Sequence, residues 1–283
     1  MISFESLIRN HAKPMNVIPT GFTPEVDENL KVRAVLFDIY GTLFISSAGD
    51  IGAAKNESST KKNEITELCT RYAVNLPAGV LIDRFFEEIE REKKNLKEEG
   101  IEYPEVVIEK VWFRVLHIDN PGTLRQFALE YEMIVNPVYP MPGVNEILSI
   151  CRQKGTFMGI ISNAQFYTPH LFTSFLGHTL AELGFRRDLL FFSFEMGYGK
   201  PSVRPFAEAA RTLEVEGIKR YEVLYVGNDM LKDIAPARKT GFKTALFAGD
   251  ARSLNMRSGE LGNETFHPDL IITDLSQIIP CLA

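Results

Sequence analysis

The chain has 283 residues, of which 45% are hydrophobic, 24% charged and 11% aromatic, and its formal net charge is −6 at pH 7. This is the composition of a globular protein long enough for one large core and a smaller second unit. The acidic balance argues against general binding to nucleic acid or to anionic membranes, because both need a basic face. An anionic substrate must therefore be met by a local positive site.

The cysteines and histidines form no recognisable metal or disulfide pattern. Cys69, Cys151 and Cys281 lack CxxC spacing and are expected to be reduced, buried thiols. The five histidines are scattered, with no HExxH or HxH pair. No segment approaches a run of about 18 apolar residues, and Glu5 and Arg9 interrupt the N-terminal apolar stretch. We therefore expect a soluble cytoplasmic protein that binds neither nucleic acid nor membrane; nothing in the sequence indicates its oligomeric state.

The first part of the chain is predicted to be an extension, a strand and a connector. Residues 1–31 are expected to form a short helix followed by extended chain. The run AVLFDI at 34–39 predicts a buried strand. The segment 46–63 behind it is small, polar and contains glycine, which indicates a mobile connector.

Residues 62–136 lack a strong strand pattern and are predicted to be helical. The stretch 79–100 places its apolar residues on one stripe, so its many charges are expected to form a solvated helix face. Trp112 lies among apolar neighbours, and core packing explains it better than stacking on a ligand. Prolines and a glycine at 137–143 mark the end of this inserted helical unit.

The rest of the chain alternates between strand and helix patterns. Apolar β-rich runs occur at 157–162, 189–194, 223–227, 243–247 and 269–273, with helix candidates at 143–155, 202–217 and 231–241. Runs without polar alternation predict strands buried on both faces, as in a parallel sheet covered by helices. The pattern therefore predicts a doubly wound α/β domain interrupted by a helical unit.

Polar side chains follow four of the predicted strands, at the edge where ligands bind in open α/β sheets. They are Asp38 and Thr42 at the end of the first strand, Ser162 and Asn163 at the end of the second, Lys200 after the third, and Asn228, Asp229 and Asp233 at the end of the fourth. A carboxylate, two hydroxyls, a lysine and an acidic cluster are thus expected on one rim. The last two acids could instead cap the helix that follows, because acids favour helix N-termini.

This set of groups is chemically coherent. The carboxylate of Asp38 can attack phosphorus or carbon and form a covalent ester that water then cleaves. Hydroxyl, amide and ammonium groups can donate to phosphate oxygens. Asp38 and a phosphate would repel each other unless a cation bridged them, and Mg²⁺ with oxygen ligands is the natural choice.

Four ordered motifs, FDIYGTL, ISNA, GKPS and VGNDMLKDI, resemble the haloacid dehalogenase-like hydrolase superfamily over about residues 32–275. The resemblance implies a Rossmann-like parallel core at 32–61 and 137–283, with an all-helical cap domain at 62–136 and an N-terminal extension at 1–31. In this sequence Asp38 resembles the nucleophile, Lys200 the charge stabiliser, and Thr42 and Ser162 residues of the phosphate site. The backbone carbonyl of Tyr40 resembles a Mg²⁺ ligand.

Two positions depart from the family pattern. Family phosphatases usually carry a second aspartate two residues after the nucleophile as acid and base; here Tyr40 stands there, and a tyrosine pKa of about 10 suits that task poorly. The haloacid dehalogenases also carry a tyrosine in this context, and a halide leaving group needs no proton. In the fourth motif Asn228 takes the place of the usual charged metal ligand, although Asp229 and Asp233 remain.

Three hypotheses follow. The first is a Mg²⁺-dependent phosphatase acting on a small phosphorylated metabolite through an aspartyl intermediate. The second is a metal-independent 2-haloacid dehalogenase, and the third is a non-catalytic binding protein of the same fold. The predicted site comprises Asp38, Tyr40 and Lys200 for catalysis, Thr42, Ser162 and Asn163 for substrate, and Asp38, Tyr40, Asn228, Asp229 and Asp233 for Mg²⁺.

Overall fold

The computed structural model describes residues 2–47, 51–257 and 267–283. Its strands are β1 Ala34–Phe37, β2 Phe44–Ser46, β3 Val138–Pro140, β4 Phe157–Ser162, β5 Phe185–Phe192, β6 Val223–Gly227, β7 Lys243–Phe247 and β8 Leu270–Ile272. Six of these form one parallel sheet in the order β5-β4-β1-β6-β7-β8, and β2 pairs with β3 antiparallel. The predicted α/β fold with a parallel core sheet is confirmed.

Helices precede, separate and cover these strands. They are α1 Phe4–His11, α2 Ile51–Thr60, α3 Lys62–Arg71, α4 Ala78–Glu98, α5 Ile108–Leu116, α6 Pro121–Val135, α7 Val144–Gln153, α8 Thr168–Leu176, α9 Leu180–Leu183, α10 Ser193–Met196, α11 Arg204–Val215 and α12 Ala235–Thr240. A π-helical turn, Met230–Ile234, leads into α12. None of the helices in the described ranges is long and apolar enough to cross a membrane.

The central strand β1 is buried on both faces, which explains the missing alternation in its sequence. Leu36 shares a hydrophobic cluster with Phe206 of α11, whereas Phe37 shares the opposite cluster with Leu148 of α7. Full burial of each such side chain stabilises the fold by about 1.5–3 kcal/mol. The paired registers of β4, β1 and β6 bring their carboxyl ends to one edge of the sheet.

Helices α2 to α6, here called the helical segment, lie between β2 and β3. No strand occurs between residues 62 and 135 in the described chain. Trp112 is 1% exposed and its ring stacks on that of Phe85 with centroids 4.1 Å apart, so core packing does explain this residue. The division of the chain into a core domain and a cap domain at 62–136 stays a prediction.

The prediction of a mobile connector at 46–63 is wrong for most of that segment. Residues 51–60 form α2, α3 begins at Lys62, and residues 48–50 lie outside the described residues. Ser58 is buried in α2 and its hydroxyl lies 2.9 Å from the Tyr131 hydroxyl of α6. Tertiary packing therefore stabilises a helix whose local sequence gives little sign of one.

The strand predicted at 189–194 is also displaced, because β5 begins at Phe185 and ends at Phe192. Its early residues include Arg186 and Asp188, which form an ion pair at 2.6 Å on this edge strand. Charged side chains on an edge strand can face solvent. The first residues of β5 therefore do not form the apolar run that predicts a buried strand. Residues 193–196 form the short helix α10 instead.

The N-terminal helix α1 packs against both the helical segment and the core. Nε2 of His11 lies 3.0 Å from a carboxylate oxygen of Glu130 on α6. Glu5 contacts Nδ1 of His170 on α8 at 2.6 Å. As predicted, a short helix followed by chain without long regular structure precedes β1.

Candidate active site

Asp38 lies one residue beyond β1 and is 6% exposed. Its backbone N–H donates to the carbonyl of Val226 at 2.9 Å, which continues the pairing of β1 with β6. The chain then turns at Gly41, whose φ of +81° is unfavourable for other residues. A Cβ at that position would lie 2.5 Å from the Cβ of Ser253, so this turn requires glycine.

One carboxylate oxygen of Asp38 is engaged and the other is open. The Ser162 hydroxyl at the end of β4 donates to Oδ1 of Asp38 at 2.8 Å. The ammonium group of Lys200 contacts the same oxygen at 2.7 Å. Oδ2 accepts no hydrogen bond from any group in the described ranges. The carboxylate is thus fixed in position, with one oxygen that has no hydrogen-bond partner in the described ranges.

Lys200 is buried and is held by its backbone as well as by its charge. Asn163 accepts from the Lys200 N–H at 2.7 Å and donates to the Lys200 carbonyl at 3.1 Å. Burial disfavours the ammonium charge, but the carboxylates of Asp233 and Asp38 raise the pKa of Lys200. The structure therefore gives the amide of Asn163 a role in positioning Lys200, although Asn163 also lines the cavity described below.

Asp233 joins Lys200 to the backbone that follows β6. Its Oδ1 accepts from Lys200 at 2.5 Å and from the Tyr225 hydroxyl at 3.1 Å. Its Oδ2 accepts from the N–H groups of Asn228 and Asp229, each at 3.0 Å. Burial, together with the charge of Asp38, raises the pKa of Asp233 even though Lys200 opposes this shift. Asp233 therefore orders the loop after β6.

Thr42 and Asn228 are bonded to each other rather than directed at open space. The buried Thr42 hydroxyl donates to Oδ1 of Asn228 at 3.1 Å, and the Asn228 amide donates to the Ser253 carbonyl at 2.5 Å. Thr42 is not among the residues that line the cavity. The part of Thr42 in binding substrate stays a prediction.

Asp229 caps the turn that follows it. This agrees with the alternative prediction that an acid at this position caps the N-terminus of the following helix. One oxygen accepts from the N–H groups of Leu231 and Lys232 at 2.9 and 3.0 Å. The other oxygen accepts from Arg257, whose Nε and Nη2 lie at 3.0 and 2.7 Å. Both carboxylate oxygens of Asp229, a predicted Mg²⁺ ligand, thus have protein partners, and no sequence motif indicates Arg257.

Three oxygen atoms of the predicted metal ligands could still hold Mg²⁺ at this end of the sheet. They are Oδ2 of Asp38, the Tyr40 carbonyl, which accepts no hydrogen bond from the described residues, and a second lone pair on Oδ1 of Asn228. Oxygen ligands of this kind suit Mg²⁺, which usually keeps several waters as well. Only Asp38 adds a charge to the set. Among the described residues, no group of three His, Cys, Asp or Glu side chains forms a metal site.

The side chain of Tyr40 turns toward α8, where its hydroxyl lies 2.9 Å from Oγ1 of Thr168. Burial and the nearby charge of Glu132 raise the pKa of Tyr40 well above its ordinary value. Its hydroxyl therefore stays protonated at neutral pH and cannot act there as a base.

Asp38 lines a cavity of about 790 Å³ between the core and the helical segment. The core contributes Asp38, Tyr40, Asn163, Lys200 and Lys232, and the helical segment contributes Phe85, Phe86, Ile89, Lys93 and Glu132. This size lies within the usual range of about 300–1,000 Å³ for small-molecule sites. The cavity can therefore hold a small substrate next to Asp38.

A short backbone contact holds the loop after α4 against the loop that precedes Lys200. The N–H of Gly199 donates to the carbonyl of Tyr103 at 2.9 Å, and the N–H of Glu105 donates to that of Gly197 at 3.1 Å. Gln165, just past β4, donates to the Val106 carbonyl at 2.9 Å. The helical segment is thus attached to the core beside the candidate active site.

Several residues of the cavity wall are not among the site residues predicted from the sequence. Lys93 was assigned to a solvated helix face, yet it follows Phe85 and Ile89 at intervals of four, on the buried stripe of α4. Glu132 on α6 accepts from the Asn136 amide at 3.0 Å, and burial raises the pKa of its carboxyl. Helical spacing could have identified Lys93, whereas Glu132 has no motif that marks it.

Comparison with known proteins finds a family that covers most of the chain. The family model for haloacid dehalogenase-like hydrolases matches residues 32–241. This range contains Asp38, Ser162, Lys200 and Asp233, which are the residues joined in the network described above.

Curated relatives and solved structures match over most of their length. The glyceraldehyde 3-phosphate phosphatase of Methanopyrus kandleri is 28% identical over 217 residues, covering 75% of this chain and 82% of that protein. The phosphoglycolate phosphatase of Xylella fastidiosa is 25% identical over 232 residues, covering 81% and 86%. The crystal structure of a 2-haloacid dehalogenase from Pseudomonas syringae pv. tomato has a TM-score of 0.53 at 20% identity, covering 87% and 96%. That structural likeness concerns the fold.

Proposed function

Because this chain belongs to the haloacid dehalogenase-like hydrolase family and is therefore a hydrolase, we propose that it is a phosphatase acting on a small phosphorylated metabolite. The observation that carries the proposal is the state of the Asp38 carboxylate. Its Oδ1 is held by Ser162 and Lys200, while its Oδ2 is open beside a cavity of suitable size. The curated relatives named as phosphatases support the same activity.

In this proposal Oδ2 of Asp38 attacks phosphorus, and the bond from phosphorus to the leaving oxygen breaks. The leaving oxygen takes a proton from solvent water. A second water then attacks phosphorus in the aspartyl phosphate and loses a proton to solvent, which releases inorganic phosphate and restores the carboxylate. Lys200 lies 2.7 Å from Oδ1 of Asp38, the oxygen that does not attack, and it stays positively charged, so it can offset the charge that develops on the phosphoryl oxygens. Asn163 and Asp233 act by holding Lys200 in place.

Mg²⁺ belongs to the proposed function as well. We assign its ligands to the carboxylate of Asp38, the carbonyl of Tyr40 and the side-chain oxygen of Asn228. When bound, the ion would offset the negative charge shared by Asp38 and a phosphate. Asp233 would order the loop that carries Asn228, through its two bonds to backbone N–H groups. Asp229 remains paired with Arg257 in this assignment.

A metal-independent 2-haloacid dehalogenase is the second candidate, and Tyr40 is the observation that favours it. No base stands two residues after the nucleophile, and the protonated hydroxyl of Tyr40 cannot replace one. A halide leaving group needs no proton, so this site could displace halide from carbon with the same Asp38 oxygen.

The test is a screen of phosphate esters and short 2-haloacids, each with Mg²⁺ and with EDTA, on the purified chain and on Asp38→Asn. The phosphatase proposal expects release of inorganic phosphate that needs both Mg²⁺ and Asp38. Halide release that survives EDTA would instead favour the dehalogenase. Turnover of neither class would leave the third hypothesis, a protein that binds without catalysis.

A further inference from the structure

Three lysines line the cavity without an ion-pair partner in the described part of the chain: Lys97, which is exposed, and Lys93 and Lys232, which are half-buried. Lys93 lies on α4 of the helical segment, and Lys232 lies on the π-helical turn of the core. Neither ammonium group contacts a carboxylate within 4.0 Å in the described part of the chain, and neither donates a hydrogen bond there. The two positive charges lie on opposite sides of the division between helical segment and core.

The lysines lie in each other's electric field. Burial lowers the pKa of Lys93, and the charges of Lys232 and Lys97 lower it further, while Glu90 and Glu105 oppose the shift. Two like charges that are partly removed from water repel each other more strongly than exposed ones. An anion placed between them would relieve this repulsion.

The acidic groups nearby are already committed or exposed. Glu105 accepts from Val106 N–H at 3.1 Å and from the Gln165 amide at 3.2 Å on one oxygen. Its other oxygen accepts from the Ser193 hydroxyl at 2.7 Å. Glu90 is exposed on α4. The positive charge of the two lysines is thus not neutralised by a direct ion pair.

We propose that Lys93 and Lys232 bind a second anionic group of the substrate, a carboxylate or a further phosphate. The substrate class is then a small phosphate ester that carries this second anion. The inference rests on the proposed phosphatase activity, in which Lys200 and Ser162 already serve the reacting end at Asp38. A substrate bound in this way would also join the helical segment to the core.

The experiment uses three two-carbon phosphate esters that differ only at the distal end. Hydroxyethyl phosphate is neutral there, phosphoglycolate carries a carboxylate, and the bisphosphate of ethylene glycol carries a phosphate. The proteins are the natural chain, Lys93→Met, Lys232→Met and the control Lys94→Met, which changes an exposed lysine on the same helix that does not line the cavity. Values of kcat and KM are measured for each combination of protein and ester.

The natural chain is expected to prefer an ester with a distal anion, and the carboxylate and phosphate arms decide which anion it is. Lys93→Met and Lys232→Met should raise KM for that ester about tenfold, the scale of a lost charge-assisted hydrogen bond. They should leave kcat, and both constants for hydroxyethyl phosphate, nearly unchanged. Lys94→Met should behave as the natural chain.

Equal losses on all three esters would assign the lysines to the reacting phosphate and overturn the proposal. Equal kcat and KM values of the natural chain on all three esters would also overturn the proposed anion subsite. The proposed phosphatase activity would still be supported by that result. Calorimetric binding of the same esters to Asp38→Asn, with and without Lys93→Met, separates the two ideas when no ester is hydrolysed. A tighter Kd for the distal anion that depends on Lys93 would then support the subsite, and equal Kd values would reject it.

Discussion

Two parts of the cavity wall, the network around Asp38 and the pair formed by Lys93 and Lys232, differ in how far the protein itself satisfies their charges. On the core wall, Asp38, Lys200 and Asp233 bond to one another and to the backbone in a closed network. On the helical wall, the Lys93 ammonium has no direct partner in the described chain. A closed network holds its side chains in one geometry, as catalysis requires. A charge without a protein partner can instead bind a ligand of opposite charge.

The largest effect on turnover is expected from substitution of Asp38, the proposed nucleophile on the core wall. Asp38→Asn keeps the shape of the side chain and removes the attacking carboxylate, so turnover should fall about 10³-fold or more. Phosphate release measures this loss, and the far-ultraviolet circular dichroism spectrum should be unchanged. Substantial activity in a folded Asp38→Asn protein would remove Asp38 from that role.

The next effect concerns stability rather than rate. Lys200→Met leaves the buried carboxylates of Asp38 and Asp233 without their common cation, so the free energy of unfolding should fall by about 3–5 kcal/mol. Urea denaturation measures this change. Lys94→Met removes an exposed lysine 3.9 Å from Glu98 and should leave the urea midpoint unchanged. Equal midpoints for the two variants would show that the core network contributes little.

A smaller effect, with an informative sign, is expected at Tyr40. In a phosphatase, Tyr40→Asp restores a base two residues from the nucleophile and should raise the steady-state rate, by up to about 10²-fold. In a dehalogenase the same change places a second anion beside Asp38 and should slow halide release. Tyr40→Phe is the matched control, because it removes the hydroxyl that contacts Thr168 without adding a base. If Tyr40→Asp and Tyr40→Phe behave alike, the restored carboxyl has no catalytic part.

The smallest effect tests the helical wall through pH. Burial raises the pKa of Glu132 in the folded protein, so the fold binds a proton more readily than the unfolded chain does. The contribution of Glu132 to stability is therefore lost as pH rises from about 4.3, the ordinary glutamate pKa, through the raised folded value.

Glu132→Gln keeps an oxygen for the Asn136 amide and has no charge to bury. Its Tm relative to that of the natural chain should therefore rise by a few degrees between pH 4 and pH 8, an effect of about 1 kcal/mol. The exposed Glu87→Gln on α4 is the control and should show no such trend. A parallel pH dependence of all three proteins would contradict the raised pKa.

The core wall could be predicted from sequence because its determinants are local and ordered. Unbroken apolar runs indicate buried parallel strands, and the carboxyl ends of such strands meet at one edge. Asp38, Ser162 and Lys200 are therefore predicted at one edge of the sheet, and contacts of 2.7 and 2.8 Å join them in the structure. Even the helix-capping alternative for Asp229 could be stated in advance.

What could not be predicted depends on contacts between distant parts of the chain. Asp229 pairs with Arg257, which lies 28 residues away in a segment without a regular pattern. α2 is supported by the contact between Ser58 and Tyr131, and its own residues are mostly small and polar. Lys93 has the helical spacing of a buried position, but lysine is typical of exposed positions. Its charge therefore favours the prediction that it lies on the solvated face of the helix.

The N-terminal helix α1 connects the helical segment to the core through contacts that lie outside the cavity wall. α1 contacts α6 through His11 and Glu130, and contacts α8 through Glu5 and His170. Any motion that moves α6 away from α8 must release one of these two pairs. The separation of α6 from α8 is therefore limited by four side chains that do not line the cavity.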